Sequence, residues 1–510
     1  MIEVEVHQQL QHLLRQSPEM AWPHQLTMAR MVARGLRLGR NALIQVPGGT
    51  HHRLSYLLPA LMWPGSTVVC VPEAVQQDIL REEIPWLQQA LDLHKPVRQI
   101  SRWPERGFDG LALVDPCVWL QAQLSPDPAQ KGNFPAGIPV VIDGAEHLES
   151  WARQVLTTQV GAADWLTLQM AYPHYRERIA EAQIQLSLSL LRRPGRRLRL
   201  HQDELGILRW MRDLVVGPAV DSDMGCLDPG CPDLWRQILP ALDQPHQLWS
   251  AEVLHETGQV FVQVCPVAIE SALRPLWTEQ PFVLVGEGLD VEREALAYRE
   301  RLGLPPLTTL RFWQTAQDPL PVVVPRLPVP NSPHFQTQLG PVLKHLICEH
   351  SGSAVVLVSD RPLQAQIGAD LAAEFGSRVQ VNRHHQRERG ILVGDWDYWL
   401  RHKESFAVPQ LLVMVTLPFP STEDPDVAAR VDYMRQQGQD WFRSYLMPLA
   451  AATMQRAISP LRPGSTLRHS EDPMPVVAIL DNRIVTRSYG SHLLEALGPT
   501  IRTHVESLLV

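Results

Sequence analysis

The sequence predicts an α/β protein with two lobes, each built on a parallel β-sheet, and with a mostly helical insertion in the first lobe. Three observations predict this class. Short apolar runs alternate with segments of helical periodicity, which is typical of buried parallel strands and the helices that connect them. A proline-rich stretch at 319–333 separates two such regions. Within the first region, residues 151–250 carry mainly helical patterns.

The elements follow in order along the chain. The expected helices are 4–15, 25–38, 165–191 and 205–215. The third of them is expected to break at Pro173, because proline interrupts a helix. The predicted strands of the first lobe are 42–46, 67–71, 111–114, 139–142, 260–264 and 282–285. Those of the second lobe are 354–358, 390–393, 411–416 and 475–480.

These patterns divide the chain into five segments. They are the first part of lobe 1 at 1–150, the insertion at 151–250, the return to lobe 1 at 251–318, the connector at 319–333 and lobe 2 at 334–510. A cleft between two such lobes is where a ligand would usually bind.

Composition excludes several classes of protein. The 510 residues are 45% hydrophobic and 20% charged, a globular balance that excludes disorder, a collagenous chain and a small disulfide scaffold. Six cysteines are too few for a secreted framework and indicate a reducing compartment. The formal net charge of −8 excludes a uniformly basic nucleic-acid coat, although not a local basic groove. We expect a soluble protein, because no signal peptide is visible and no apolar run approaches the ~18 residues of a membrane span.

Lysine is scarce, and this bears on phosphate binding. Of the 46 basic residues only four are lysines, at positions 95, 131, 344 and 403, and none of them follows a glycine. The chain therefore contains no Gly-Lys-Ser/Thr, and a standard phosphate-binding P-loop is absent.

A series of segments resembles the motifs of the DinG/XPD-like helicases of superfamily 2, in the same order and over nearly the whole chain. The segments are 23–28 (PHQLTM), 45–60 (QVPGGTHHRLSYLLPA), 140–148 (VVIDGAEHL), 281–289 (PFVLVGEGL), 298–304 (YRERLGL), 398–403 (YWLRHK), 417–420 (LPFP), 441–450 (WFRSYLMPLA) and 455–462 (QRAISPLR). The resemblance implies two RecA-like lobes and ATP-driven 5′-to-3′ unwinding of DNA in the cytoplasm.

The resemblance assigns a candidate nucleotide site and marks substitutions in it. Its residues are Gln25, Gly48, Gly49, Thr50, His52 and Arg53. Gln25 matches the glutamine that recognises adenine, and the Gly-Gly-Thr turn can attract an anion through its free N–H groups. His52 stands at the lysine that neutralises phosphate charge, and Arg53 stands at the hydroxyl that holds Mg²⁺.

The acidic and final motifs are substituted as well. Asp143 keeps the magnesium-binding position, but Gly144 replaces the glutamate that orients the attacking water. Gln455 and Arg462 match the last motif, whereas Ser459 stands at its first arginine. Loss of such an arginine costs ~10³–10⁵ in rate. We therefore expect the architecture without efficient ATP hydrolysis, and ATP and Mg²⁺ as cofactors only if the site remains functional.

No metal centre is expected. The iron–sulfur members of the family carry four cysteines between the phosphate turn and the acidic motif, and here that interval holds only Cys70 and Cys117. An iron–sulfur cluster cannot be built there. The histidines at 51–52 lack a third ligand at metal spacing. Cys226 and Cys231 are either half a zinc site or two thiols in a turn.

An arginine-rich run suggests a nucleic-acid contact. Its candidate residues are Arg192, Arg193, Arg196 and Arg197. They either contact phosphates or form the solvated end of a helix. The leading hypothesis is a degenerate helicase that binds single-stranded DNA or another nucleic acid, or acts as a scaffold for a protein partner. The alternatives are an active 5′-to-3′ helicase with an unusual active site, and a protein-binding module without DNA affinity. No membrane partner is expected.

Overall fold

The computed structural model describes residues 2–17, 22–49, 51–104, 107–125, 134–216, 230–312, 319–330, 332–383, 389–462 and 474–503. The helices in these ranges are Ile2–Gln16 (α1), Gln25–Leu38 (α2), Leu54–Met62 (α3), Glu73–Asp78 (α4), Ile84–Leu91 (α5), Pro116–Leu124 (α6), Leu148–Leu156 (α7), Ala162–Ala171 (α8), Arg176–Leu191 (α9), Gln202–Val216 (α10), Asp233–Ile238 (α11), Glu270–Leu273 (α12), Leu276–Glu279 (α13), Leu296–Leu302 (α14), Pro333–Glu349 (α15), Arg361–Phe375 (α16), Trp396–His402 (α17), Pro425–Gln436 (α18), Met447–Ile458 (α19), Arg483–Thr486 (α20) and Gly490–Ala496 (α21). None of these helices combines the length and apolar character needed to cross a membrane.

The strands form three sheets. They are Ala42–Val46 (β1), Thr67–Cys70 (β2), Val97–Gln99 (β3), Leu111–Val114 (β4), Val140–Asp143 (β5), Thr158–Val160 (β6), Arg197–Arg199 (β7), Gln247–Leu254 (β8), Gln259–Pro266 (β9), Phe282–Glu287 (β10), Thr308–Arg311 (β11), Leu320–Val323 (β12), Ala354–Leu357 (β13), Val379–Val381 (β14), Ile391–Gly394 (β15), Leu411–Met414 (β16), Val476–Ile479 (β17) and Thr500–Thr503 (β18).

The first lobe is a parallel sheet in the order β11-β1-β10-β5-β2-β4-β3. Strands β1, β2, β4 and β5 are buried along their whole length. The reason is that helices cover both faces: α1, α2 and α3 contribute to the core on one face, and α6 and α7 to the core on the other. The predicted first parallel sheet is thereby confirmed.

The second lobe repeats this architecture. Its sheet is parallel in the order β14-β15-β13-β16-β17-β12-β18, which confirms the second predicted lobe. Strand β12 lies inside the stretch that the sequence marks as a proline-rich connector, and it pairs with β17 and β18. Leu320 and Val322 on this strand are buried in the core on one face of the sheet, and Val323 is buried in the core on the other.

The insertion contains a sheet in addition to the expected helices. Helix α8 ends at Ala171 and α9 begins at Arg176, so the predicted break at Pro173 is confirmed. Strands β6, β9, β8 and β7 pair in that order as an antiparallel sheet, which the sequence did not predict. Strand β9 was expected in the first lobe. It joins β8 instead, because the turn at Gly258, with φ +68°, closes an antiparallel hairpin locally.

Candidate functional site

The candidate cleft lies where three neighbouring strands of the first lobe end. Strands β1, β10 and β5 are adjacent, and their register places Val46 beside Glu287 and Val285 beside Asp143. The carboxyl ends of parallel strands are where α/β sheets usually bind ligands. Residues of the second lobe close this edge, among them Lys403 after α17.

The turn at the phosphate position is close to both lobes. Gly49 has φ +109°, and the chain passes through a 3₁₀ turn at His51–Arg53 into α3. A Cβ atom on Gly48 would lie 2.5 Å from Glu287 Oε1 and 2.6 Å from Ser459 Oγ. The space above the turn is therefore occupied by the protein. Thr50, the remaining predicted residue of the turn, lies outside the described residues.

Both carboxylate oxygens of Asp143 accept hydrogen bonds. His52 Nε2 lies 3.0 Å from Oδ1, and the Gly144 backbone N–H donates to the same oxygen at 3.0 Å. The Tyr56 hydroxyl donates to Oδ2 at 2.8 Å. Since His52 and Asp143 are each only 9% exposed, these contacts form a buried histidine–carboxylate–tyrosine cluster.

Electrostatics within this cluster favour an ion pair. Burial by itself lowers the pKa of His52, but the Asp143 charge and hydrogen bond outweigh it, and the pKa is raised. Burial by itself raises the pKa of Asp143, but His52, Tyr56 and Arg53 together lower it. Burial and the Asp143 carboxylate raise the pKa of Tyr56 well above its ordinary value, so the phenol stays a donor.

Gln25 and Arg53, both predicted at the nucleotide site, bond within the first lobe. The Gln25 side chain donates to the His51 carbonyl at 3.0 Å and accepts from the Trp22 N–H at 3.1 Å, and the residue is completely buried. Arg53 donates to Glu83 at 3.3 Å. Both side chains thus have protein partners at the positions where the resemblance expects nucleotide contacts.

A buried ion pair crosses the cleft from lobe to lobe. Lys403 Nζ lies 2.5 Å from Glu287 Oε2, and it also donates to the Arg456 carbonyl at 2.8 Å and to Ser459 Oγ at 2.9 Å. The lysine side chain is 6% exposed and the glutamate side chain 13%. The sequence did not predict this contact. Its only signal was the scarcity of lysine, which makes a lysine in a helicase-like motif conspicuous.

Further charges surround this ion pair. Glu146 accepts a hydrogen bond from the Glu287 backbone N–H at 3.0 Å. Burial raises the pKa of Glu146 to about 7, and the Glu287 carboxylate acts in the same direction. Burial lowers the pKa of His147 to about 4, assisted by Arg456. Arg456 lies beside the strand end that carries Glu287, since its Cγ would be 3.0 Å from a Cβ atom on Gly288, and sequence reasoning missed this position.

Gln455 and Arg462, the predicted residues of the last motif, contact the chain end of the second lobe. Gln455 Nε2 donates to the Ala496 carbonyl at 2.8 Å, and Arg462 Nη1 donates to the Pro499 carbonyl at 3.0 Å. Burial lowers the pKa of Arg462 to about 10. The cations that reach the cleft are Lys403 and Arg456 instead.

Three of the four predicted nucleic-acid arginines form ion pairs. Arg193 contacts Glu204 at 3.1 Å and Arg196 contacts Glu252 at 2.8 Å, both within the insertion. Arg197 reaches the second lobe, where it contacts Asp424 and Asp426; the neighbouring Arg199 contacts Asp432 in the same way. Arg192 is exposed and has no ion pair among the described residues.

A second cavity lies between the lobes, lined by other residues. It has a volume of about 700 Å³ and is bounded by α12–α14 of the first lobe and by α18 with the following turn of the second. Its arginines are Arg274, Arg299, Arg301 and Arg430, and its acids are Glu270 and Glu300. Arg430 bonds Glu270 through two contacts of 2.9 and 3.0 Å. The sequence did not indicate this groove, because its residues come from distant segments.

The described residues contain no group of three or more His, Cys, Asp or Glu side chains placed to hold a metal ion. Cys70 is buried on β2, and Cys117 lies at the start of α6. Cys226, one of the two cysteines of the alternative zinc interpretation, lies outside the described residues.

Two parallel-sheet lobes with a cleft at the carboxyl ends of β1, β5 and β10 define the two-lobed helicase fold. A profile for the helicase C-terminal domain matches residues 408–500. The ATP-dependent DNA helicase YoaA of Escherichia coli (strain K12) is 23% identical over 415 residues, covering 72% of this chain and 64% of the relative. The 3′-5′ exonuclease DinG of Bacillus subtilis (strain 168) is 32% identical over 114 residues, 22% of this chain and 11% of that protein.

Solved structures agree on the fold. The structure of Xpd4 from S. tokodaii aligns with a TM-score of 0.58 at 15% identity, over 92% of this chain and 98% of that one. The chain is thus similar in sequence to DinG-like helicases and in fold to an XPD-type structure. It spans less than two thirds of the length of the curated relatives it matches, 64% in the case of the Escherichia coli helicase.

Proposed function

We propose that this chain uses the helicase architecture to bind single-stranded nucleic acid and does not hydrolyse ATP at an appreciable rate. The observation that carries the proposal is that the side chains at the phosphate and magnesium positions bond to one another. His52 bonds Asp143, and Lys403 bonds Glu287 across the cleft. The relative YoaA is an ATP-dependent DNA helicase, and the proposed difference of this chain from it lies in the bonded cleft residues.

The cleft residues do not fit a magnesium–nucleotide complex. Mg²⁺ needs oxygen ligands in a nearly octahedral arrangement. Three of the about four acceptor positions of the Asp143 carboxylate are already taken by His52, Gly144 and Tyr56, so a metal would compete with these bonds. Breaking one side of a buried ion pair costs about 3–5 kcal/mol, so the internal contacts compete strongly with a metal. We therefore assign no catalytic step to a nucleotide in this cleft.

The charge above the phosphate turn also opposes nucleotide binding. Glu287 Oε1 lies against Gly48, so an incoming phosphate would meet a carboxylate. Arg462, which matches the second arginine of the last motif, donates to a carbonyl of its own lobe. The positive charge of Lys403 is neutralised by Glu287.

The groove between the lobes supports nucleic-acid binding. It is lined by more arginines than acids, and Arg274 is exposed at its edge. Arginine contacts to phosphate need no base-specific geometry, so such a groove suits a single strand. Tyr433 on the second-lobe side is half-buried and offers aromatic surface.

The test is ATP hydrolysis by the purified chain with Mg²⁺, with and without single-stranded DNA, against an Asp143→Ala control. We expect no turnover above that control, and in the same preparation we expect DNA binding that weakens with salt and ignores ATP. DNA-stimulated turnover that Asp143→Ala abolishes would instead establish an active helicase. Absence of DNA affinity at low salt would favour the protein-binding module.

A further inference from the structure

Glu287 lies where a bound anion would contact the turn at Gly48. Its Oε1 would be only 2.5 Å from a Cβ atom at Gly48, so the approach depends on glycine. This oxygen is buried and has no hydrogen-bond donor within the described part of the chain. The other oxygen, Oε2, bonds Lys403. One carboxylate therefore touches the phosphate turn on one side and a cation of the opposite lobe on the other.

The surroundings of this carboxylate are those of an anion site. Lys403 is 5% exposed and directs its ammonium group at Glu287, at Ser459 Oγ and at the Arg456 carbonyl. Arg456 is close enough to influence Glu146 and His147 electrostatically. Without the Glu287 carboxylate, the lysine would be a buried cation whose remaining partners are a hydroxyl and a carbonyl. Such a cation attracts a replacement anion.

We propose that the Glu287 carboxylate is an internal anion that occupies the phosphate position at Gly48 and, through Lys403, holds the two lobes together without nucleotide. Glu287 belongs to the first lobe, while Lys403 and Ser459 belong to the second. The closed arrangement that nucleotide-driven proteins reach on binding phosphate is thus a permanent property of this chain. This inference does not depend on whether the groove binds nucleic acid.

The experiment replaces the carboxylate and offers inorganic phosphate in its place. In the full chain, Glu287→Gln keeps the size of the side chain and removes its charge. We expect the variant to unfold at a lower temperature than the wild type, and phosphate to raise its unfolding temperature while leaving the wild type unchanged. Potassium chloride at equal ionic strength controls for screening, and sulfate should act like phosphate.

Two further variants make the result specific. Glu287→Gln combined with Lys403→Met should lose the phosphate response, because the cation that attracts the anion is gone. Glu374→Gln removes the acid of an exposed ion pair with Lys344 inside the second lobe and should show no response. An equal phosphate effect in the wild type and in Glu287→Gln, or an unchanged unfolding temperature in Glu287→Gln, would overturn the proposal.

A third variant leaves every charge in place and needs no ligand. Gly48→Ala introduces a methyl group that must displace Glu287 or Ser459. Hydrogen exchange should then become about tenfold faster in peptides from both lobes that meet at the cleft. Gly340→Ala, in α15 with open space around its Cβ position, is the matched control. Unchanged exchange at the cleft in Gly48→Ala would contradict an interlobe contact at this turn.

The outcome of the ATP hydrolysis experiment is independent of the outcome of the phosphate experiment. ATP turnover would remove the proposed absence of hydrolysis, whereas the phosphate response of Glu287→Gln reports only on the internal anion.

Discussion

Besides the Arg430–Glu270 ion pair, the second lobe contacts the rest of the molecule through ion pairs at the cleft (the cleft seam) and at the insertion (the insertion seam), in opposite surroundings. At the cleft, the Lys403–Glu287 ion pair is 6% and 13% exposed. At the insertion, Arg197 and its partner Asp424 are 43% and 35% exposed, and Arg199 and Asp432 are 48% and 43% exposed. Water and salt screen the second seam but hardly reach the first.

This difference in exposure determines how much each set of ion pairs stabilises the fold. Exposed ion pairs contribute about 0–1 kcal/mol and weaken with salt, so the arginine contacts of the insertion seam add little to stability. Removing one partner of a buried ion pair leaves an unpaired charge and is strongly destabilising. The cleft ion pair therefore contributes more to stability than the exposed ion pairs of the insertion seam.

The largest expected effect follows from removing the cation of the cleft seam. Lys403→Met should lower the free energy of unfolding by about 3–5 kcal/mol, because Glu287 remains buried without its partner. Urea unfolding measures the change. The matched control is Lys344→Met, whose exposed ion pair with Glu374 should contribute less than about 1 kcal/mol. Equal losses in the two variants would show that burial does not distinguish the pairs.

A second effect concerns pH at the same seam. The pKa of Glu146 is raised to about 7 in the folded chain, so the folded state binds this proton more tightly than the unfolded state. Stability should therefore fall as pH rises from the ordinary carboxyl value of 4.5 to about 7. Glu146→Gln should remove that part of the decline and be more stable than wild type above this window, by about 3 kcal/mol.

The measurement is the difference in free energy of unfolding between wild type and Glu146→Gln, taken from urea unfolding curves at each pH. His147, whose pKa is lowered to about 4, changes stability in the opposite direction over part of this range, so the wild-type profile alone does not isolate Glu146. His52, with a raised pKa, adds stability that is lost as pH rises through its folded value. A pH-independent difference between wild type and Glu146→Gln would contradict the assignment.

The sequence predicted the sheets better than the site, for a physical reason. Buried parallel strands such as β13 and β16 are continuous apolar runs, so the signal is local. The sequence predicted the strand at 260–264 but not its antiparallel partners, because β6 and β7 have three residues each and β8 is buried over four consecutive residues, so none shows a clear period of two.

The site depends on pairings that no local pattern records. Asp143 could be placed at the end of β5 from its apolar strand, but its partner His52 is 91 residues away. Lys403 and Glu287 are 116 residues apart and meet only because the two lobes close on each other. Substitution at the motifs was visible in the sequence, whereas the contacts made by the substituted residues required the structure.

The smallest expected effect on stability belongs to the insertion seam. Arg197→Ala with Arg199→Ala should change the free energy of unfolding by about 1 kcal/mol or less, since both ion pairs are exposed. Hydrogen exchange in α18 should nevertheless rise at low salt, and this rise should vanish at high salt as screening weakens the wild-type seam too. Arg196→Ala, whose partner Glu252 is within the insertion, is the control.

The same arginines decide whether the run contacts nucleic acid. Phosphates that bind Arg197 must displace Asp424 and Asp426, so nucleic acid and the insertion seam compete for one cation. Charge reversal of the predicted run should therefore weaken single-stranded DNA binding and reduce its salt dependence. The residues reversed are Arg192, Arg193, Arg196 and Arg197. If charge reversal of the run leaves DNA affinity unchanged while Arg274→Glu in the groove reduces it, the run only contacts the second lobe. The groove alone then binds the single-stranded DNA.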